Sequence, residues 1–348
     1  MPPIFHARRR GLLSSRWIAL PALLLSIGSA EAGRRSLVAR DLGTFEGDDT
    51  QGTGINDRGQ IVGVGGSGAT QSAFLMEAGG TVSLGPFAAI DINNAGQILL
   101  QTVVGNPDDP SSCFLRQPDG TLVELNTPAG SQCYGTDLND RGQVVGAVQR
   151  LVGTQRVTSG FLWEAGTYSD LGTLGGDFVQ ANAVNELGQI TGTATLSSSG
   201  YQHAFFWDRG VMTDLGSPGG LWSQGRAIND RGQVAFSSGA HVYFWQAGAL
   251  TDLGTLGGPD VPEQVSVPLG LNDRGQLLVA VYDIPAALYR WGIWASGRFT
   301  PLPSLGSGLP TANRINEQGQ AIGTDRTTTS SIRHMVVWSA EAVRGRRR

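Results

Sequence analysis

The sequence predicts an all-β protein: a seven-bladed β-propeller of four-stranded blades, with the N-terminal strand completing the last blade. Three observations predict it. One turn motif recurs seven times at nearly constant spacing. An aromatic-rich strand follows each copy, and an Asp-Leu-Gly strand or a variant follows most of those. The chain also starts with one such final strand in surplus and ends with one missing. Composition agrees. Glycine supplies 51 of 348 residues, which suits many tight turns with positive φ. Hydrophobic residues make up 40%, enough for a core.

Residues 1–32 read as a secretory signal peptide. Arg8, Arg9, Arg10 and Arg16 give a basic start, and Trp17 to Gly28 is an apolar run. Ala30-Glu31-Ala32 then offers a small-x-small cleavage site, so the mature chain is expected to begin at Gly33. The run is short for a membrane anchor, which needs about 20 apolar residues. No later segment is apolar for long enough, so no integral membrane segment is expected after cleavage. Cleavage removes four Arg and one Glu, leaving 21 basic and 28 acidic residues, a net charge of −7. That balance argues against nucleic acid as a partner.

The propeller is expected over 33–341. The turn motif is apolar-Asn-(Asp/Asn/Glu)-x-Gly-Gln-apolar, with its Asn at 56, 93, 139, 185, 229, 272 and 316. The gaps are 37, 46, 46, 44, 43 and 44 residues, the size of a four-stranded blade. Asn closes an Asx-turn, and Gly takes the positive φ that ends it. Each blade then reads as a strand ending before Asn, a strand after Gly-Gln, an aromatic strand such as His203 to Trp207, and a strand ending in Asp-Leu-Gly. Ser83-Leu84-Gly85 and Leu125-Asn126 are looser forms of the last strand.

The chain ends separate a closed ring from an open solenoid. The seventh repeat runs through Val337-Trp338 into a basic tail, 342–348, with no Asp-Leu-Gly strand. The surplus strand, Leu37 to Gly43, precedes the first turn. A ring uses this offset, because Val38 to Leu42 can pair with Met335 to Trp338 and cover an exposed edge.

These residues resemble the HAF-repeat family of predicted extracellular bacterial proteins. The triplet stands as His203-Ala204-Phe205, and Asp-Leu-Gly-Thr-Leu-Gly-Gly runs from Asp170 to Gly176 and from Asp252 to Gly258. The resemblance covers Asp41 to Trp338 and implies export and a repeat fold. It implies neither a reaction nor a ligand.

Chemistry is sparse. His203, His241 and His334 hold a repeated position, which favours packing or a local hydrogen bond over metal binding. No His-x-x-x-His, Cys-x-x-Cys, Ca²⁺-loop or Gly-x-Ser-x-Gly pattern is present, so no metal, cofactor or catalytic residue is assigned. Asp108-Asp109 reads as a solvated pair in a Pro-flanked loop. Cys113 and Cys133 are expected to form a disulfide, given an oxidising compartment.

Function should lie where the repeat is broken. The innermost strands face the channel just before each Asn, and there the side chains vary: Asp91, Asp137, Asn182, Arg226, Asn313 and Arg314. Trp222 and Tyr134 interrupt the loops between blades and are candidates to stack on a sugar ring. Three functions fit. The favoured one is an exported, monomeric, non-catalytic module binding a protein or glycan ligand. A purely structural exported protein comes next. A secreted glycan hydrolase or lyase, with acids such as Asp91 and Asp137 at the channel mouth, comes third.

Overall fold

The computed structural model describes residues 35–46, 49–66, 71–103, 109–197, 199–256, 264–306 and 308–342. The expected leader, most of the Pro-flanked acidic loop and residues 343–348 lie outside these. Among the described residues there are 28 strands and no helix. None therefore supplies a helix long and apolar enough to cross a membrane.

Strand β1 (Arg35–Gly43) comes first. β2 (Thr50–Ile55), β3 (Ile61–Gly65), β4 (Ser72–Glu77) and β5 (Gly80–Gly85) form one antiparallel sheet. β6 (Phe87–Ile92), β7 (Ile98–Thr102), β8 (Cys113–Arg116) and β9 (Leu122–Glu124) form the next. An eight-stranded sheet holds β10 (Gln132–Leu138), β11 (Val144–Val152), β12 (Gln155–Glu164), β13 (Thr167–Asp170), β14 (Gly175–Val184), β15 (Ile190–Leu196), β16 (Gln202–Asp208) and β17 (Val211–Asp214). Its halves join only through the parallel pair Thr158 and Phe178.

β18 (Ser223–Ile228), β19 (Val234–Ser238), β20 (His241–Gln246) and β21 (Ala249–Gly254) make a further four-stranded sheet. So do β22 (Gln264–Leu271), β23 (Leu277–Asp283), β24 (Leu288–Ala295) and β25 (Arg298–Pro301). The last sheet is β26 (Thr311–Ile315), β27 (Ala321–Arg326), β28 (Arg333–Ala342) and β1, in the order β1-β28-β27-β26. The first and last described strands thus share one sheet. The expected pairing is present and longer than expected, running from Arg35 opposite Ala342 to Gly43 opposite Met335.

Each Asn turn folds as its residue types dictate. Asn139 Oδ1 accepts from the N–H groups of Arg141 at 3.1 Å and Gln143 at 3.0 Å. Gly142 sits at φ 76°, a conformation that glycine adopts without cost. What the motif did not reveal is its outward reach. Asn56 Nδ2 donates to Asn93 O, Asn93 to Asn139 O, Asn139 to Asn185 O and Asn185 to Asn229 O. Asn229 then donates to Asn272 O, Asn272 to Asn316 O and Asn316 back to Asn56 O. Seven buried amides form one hydrogen-bond circuit.

Apolar side chains pack between sheets. One cluster joins Leu99 and Leu115 to Val144 and Phe161. Another joins Ile293 and Leu302 to Val336 and Trp338. A third ties the last sheet back to the first through Ile322, Met335, Ile55 and Phe74. Cys113 and Cys133 form the expected disulfide within the first of these clusters, with Cα atoms 5.8 Å apart.

Every innermost strand carries a β-bulge three residues before its Asn, for example between Gly135 and Asp137. Opposite it, Gly146 has no room for a side chain, since a Cβ would run into the Tyr134 carbonyl oxygen. The bulge decides which residues reach the channel.

Candidate functional site

The innermost strands enclose a cavity of about 300 Å³, lined by residues from all seven motif regions. Past each bulge, the residue two before Asn turns inward. Asp91, Asp137, Ala183, Ala227, Gly270 and Arg314 line the cavity in this way, and Gly54 holds the same position on its strand. Charge therefore sits on three strands, while the others are small at this level.

The three charges meet. Arg314 Nη2 lies 3.4 Å from Asp91 Oδ2 and 3.2 Å from Asp137 Oδ1, and it also donates to the Thr136 carbonyl. Gly54 stands on the strand between, where a Cβ would crowd Asp91 Oδ1 at 2.8 Å. Asp91 Oδ1 accepts from Ile92 N–H at 2.9 Å, and Asp137 Oδ2 from Val184 N–H at 2.8 Å. Burial pushes the Asp91 carboxyl up to about 8; Arg314 opposes the shift and neighbouring Asp137 adds to it. Burial works against the Arg314 cation, but the two aspartates outweigh it and raise its pKa. Asp91 and Asp137 are therefore neither far apart nor on the rim; they form one buried cluster around a guanidinium.

Arg226 also lines the cavity, without a carboxylate against it among the described residues. Its Nη2 donates to Gln224 Oε1 at 2.7 Å, while its buried Nε has no hydrogen-bond partner. Burial lowers its pKa.

Two expected channel residues are engaged elsewhere. Asn182 Nδ2 donates to Gly225 O at 2.6 Å, and Asn313 Nδ2 to Gly52 O at 2.8 Å. They occupy the bulge position, where Thr53 and Thr136 do the same work toward Ala89 O and Ala181 O. They are clamps between neighbouring strands, and neither lines the cavity.

The two ends of the channel differ. At the Asn-turn end, the residue after each Asn accepts a backbone N–H from its counterpart in the preceding repeat. Examples are Asp57 N to Asn94 Oδ1, Glu186 N to Asp230 Oδ1 and Glu317 N to Asp57 Oδ1. Burial, aided by neighbouring carboxylates, raises the pKa values of Glu186, Asp230 and Glu317. This end is filled by repeated, mutually bonded groups.

The opposite end collects exceptions. Trp222 is 52% exposed and meets Tyr201 edge-on, with ring centroids 5.4 Å apart. It borders a second cavity of about 300 Å³ with Leu221, Gln224 and Ser237. Tyr134 is 39% exposed, its hydroxyl donating to Gln132 Oε1 at 2.8 Å.

The repeated histidines bond locally. His203 Nδ1 meets Asp214 at 2.9 Å, His241 meets Asp252 at 3.0 Å and His334 meets Asp41 at 3.0 Å. Each aspartate belongs to an Asp-Leu-Gly strand, so the His-Ala-Phe and Asp-Leu-Gly signatures are partners across one strand pair. Among the described residues, no group of three His, Cys, Asp or Glu side chains is arranged to hold a metal ion.

No family model matches the chain, and no curated protein does. Solved structures do. A virginiamycin B lyase from Staphylococcus aureus, crystallised with quinupristin, aligns at TM-score 0.56 and 12% identity, over 87% of this chain and 99% of that one. A puromycin hydrolase aligns at TM-score 0.55 and 15% identity, over 84% of this chain and 53% of that one. The chain thus spans about half the length of the hydrolase. At such identities the likeness is one of fold, an all-β architecture of propeller type.

Proposed function

We propose that the chain is an exported, closed seven-bladed β-propeller of the HAF-repeat kind, acting as a non-catalytic binding module. Its parts are a leader at 1–32, a propeller at 33–341 and a basic tail at 342–348. The eight-stranded sheet counts as two blades, since a single parallel pair joins its halves. The Asn circuit and the β1–β28 pairing support closure, and the disulfide supports an oxidising destination.

One observation carries the binding reading: the exposed aromatic departures from the repeat lie at one end. Trp222 and Tyr134 have exposed aromatic surface to offer there, whereas the Asn-turn end spends its side chains on its neighbours. The test is a glycan and protein binding screen with secreted material, whose N-terminus should read Gly33. Trp222→Ala with Tyr134→Ala should abolish binding of any ligand found, and Leu187→Ala on the Asn-turn end should not. Loss of binding with Leu187→Ala alone would place the ligand at the wrong end and refute the assignment.

A second reading, glycan hydrolysis or cleavage by elimination, has one observation in its favour: Asp91 keeps its proton near neutral pH beside a second carboxyl. Arg314 weighs against it, because the guanidinium occupies the space where a scissile bond would need to lie. Turnover of any bound glycan, lost in Asp91→Asn, would reverse the preference.

A further inference from the structure

We infer that the ligand of the Trp222 end is an acidic saccharide, lying along β18 with a ring on Trp222 and a carboxylate reaching Arg226. The inference rests on the binding reading above and names its ligand class.

β18 and the residue before it set up the track. Trp222 and Gln224 are two residues apart and line the same cavity, about 7 Å from one another along an extended backbone. The bulge between Gly225 and Ala227 would by itself leave the direction of Arg226 open. The 2.7 Å bond from Arg226 Nη2 to Gln224 Oε1 settles it, placing the guanidinium beside the amide. Platform, amide and cation therefore follow one another from the open end into the channel. Trp222 and Gln224 line the outer cavity, and Arg226 lines the channel. Trp222 to Arg226 spans about 13 Å by strand rise, the length of a short oligosaccharide rather than a single ring.

Each element answers one part of such a ligand. The Trp222 ring is half exposed and braced edge-on by Tyr201, so it is held as a flat apolar surface for the C–H face of a pyranose. Gln224 retains its amide N–H₂ for hydroxyl groups, while its oxygen is engaged by Arg226. Arg226 has what the Arg314 cluster lacks. It makes no ion pair among the described residues, and its Nη1, unlike the buried Nε and the engaged Nη2, is left for a ligand. A cationic donor with a free N–H makes its strongest hydrogen bond to an anionic acceptor. One guanidinium, in a mature chain of net charge −7, suits a ring carboxylate better than a polyphosphate backbone.

Calorimetric titration of the secreted protein with trigalacturonate and with its fully methyl-esterified form tests this. The free acid should bind at least about tenfold tighter than the ester, the factor expected from a charge-assisted hydrogen bond. Arg226→Gln should remove the preference, and Arg226→Lys should keep part of it. Trp222→Ala should weaken both ligands by a similar factor. Unchanged melting temperatures control for folding. If Arg226→Gln does not fold, the acid-versus-ester comparison on the unaltered protein decides. Equal binding of acid and ester, no binding of the acid, or a preference surviving Arg226→Gln overturns the inference. A neutral glycan or protein whose binding needs Trp222 but not Arg226 would overturn it while leaving the binding reading in place. Indifference of every ligand to Trp222→Ala would remove both.

Discussion

Replacing Asn139 by alanine removes four hydrogen bonds at once. Its Nδ2 donates to Asn185 O at 2.9 Å and to Gln143 Oε1 at 2.6 Å. Its Oδ1 accepts from Arg141 N–H and Gln143 N–H. Asn185 O keeps a second donor, Gly188 N–H at 3.0 Å, and suffers least. The other three groups are left without a partner at a site where Asn139 is 3% exposed. At about 1 kcal/mol for each, Asn139→Ala should cost about 3 kcal/mol. With an unfolding entropy of about 2.1 cal/mol/K per residue, Tm should fall by about 5 °C. Asn139→Asp sharpens the test. It keeps the Oδ1 acceptor but turns a second oxygen toward Asn185 O and Gln143 Oε1, so it should cost at least as much at pH 7. At pH 4 a protonated carboxyl can donate again, and part of the loss should return. Differential scanning calorimetry of both variants beside Leu187→Ala, an exposed change on the next turn, supplies the reading. A Tm for Asn139→Ala within about 1 °C of that control would refute the circuit as a source of stability.

Deleting 37–43 should lower the stability of the whole domain rather than fray its start, because β1 covers Leu37, Ala39 and Leu42 against two core clusters; an unchanged Tm with a monomeric product would count against closure. Asp91 has a folded-state pKa raised to about 8 from an ordinary 3.8, so the folded chain holds a proton that the unfolded chain releases. Its contribution is complete below pH 4 and declines as pH rises through 8, so the urea midpoint should fall between pH 5 and 8, and less steeply in Asp91→Asn. Parallel slopes for the two proteins would show that Asp91 titrates normally. Reducing the Cys113–Cys133 bridge, which closes a separation of 20 residues, should cost about 3 kcal/mol, read as a shift in denaturation midpoint with and without reductant.

The parts of this fold visible in the sequence are those with a local cause. Asn, Gly and Gln build each turn from contacts within five residues, so seven copies were countable. The surplus Asp41-Leu42-Gly43 pointed to β1 beside β28 by simple bookkeeping of strands. The hydrogen bonds that join repeats were hidden, since Asn56 and Asn93 carry no mark that one donates to the other. The bulge was hidden too, although Gly63, Gly146, Gly192 and Gly323 at one repeated position were a signal for it. Without it, Asn182 and Asn313 looked like channel residues, when they are clamps. The Arg314 cluster joins Asp91, Asp137 and Arg314 from three distant strands, and only their shared distance from the Asn turns gave them away.

The pairing of β1 with β28 sets an order in time. β1 is the first described strand to be made, and its partner among the described residues, β28, is the last. Until then β1 waits as an unpaired edge, and the Asn circuit lacks its final link from Asn316 to Asn56. A chain stopped before residue 333 can form hairpins and whole sheets, yet it cannot hide the apolar faces of Ile322 and Ile55 from water. Completion of the core thus waits for β28, and a product truncated before it would betray itself by exposed surface to any protease that surveys unfolded chains.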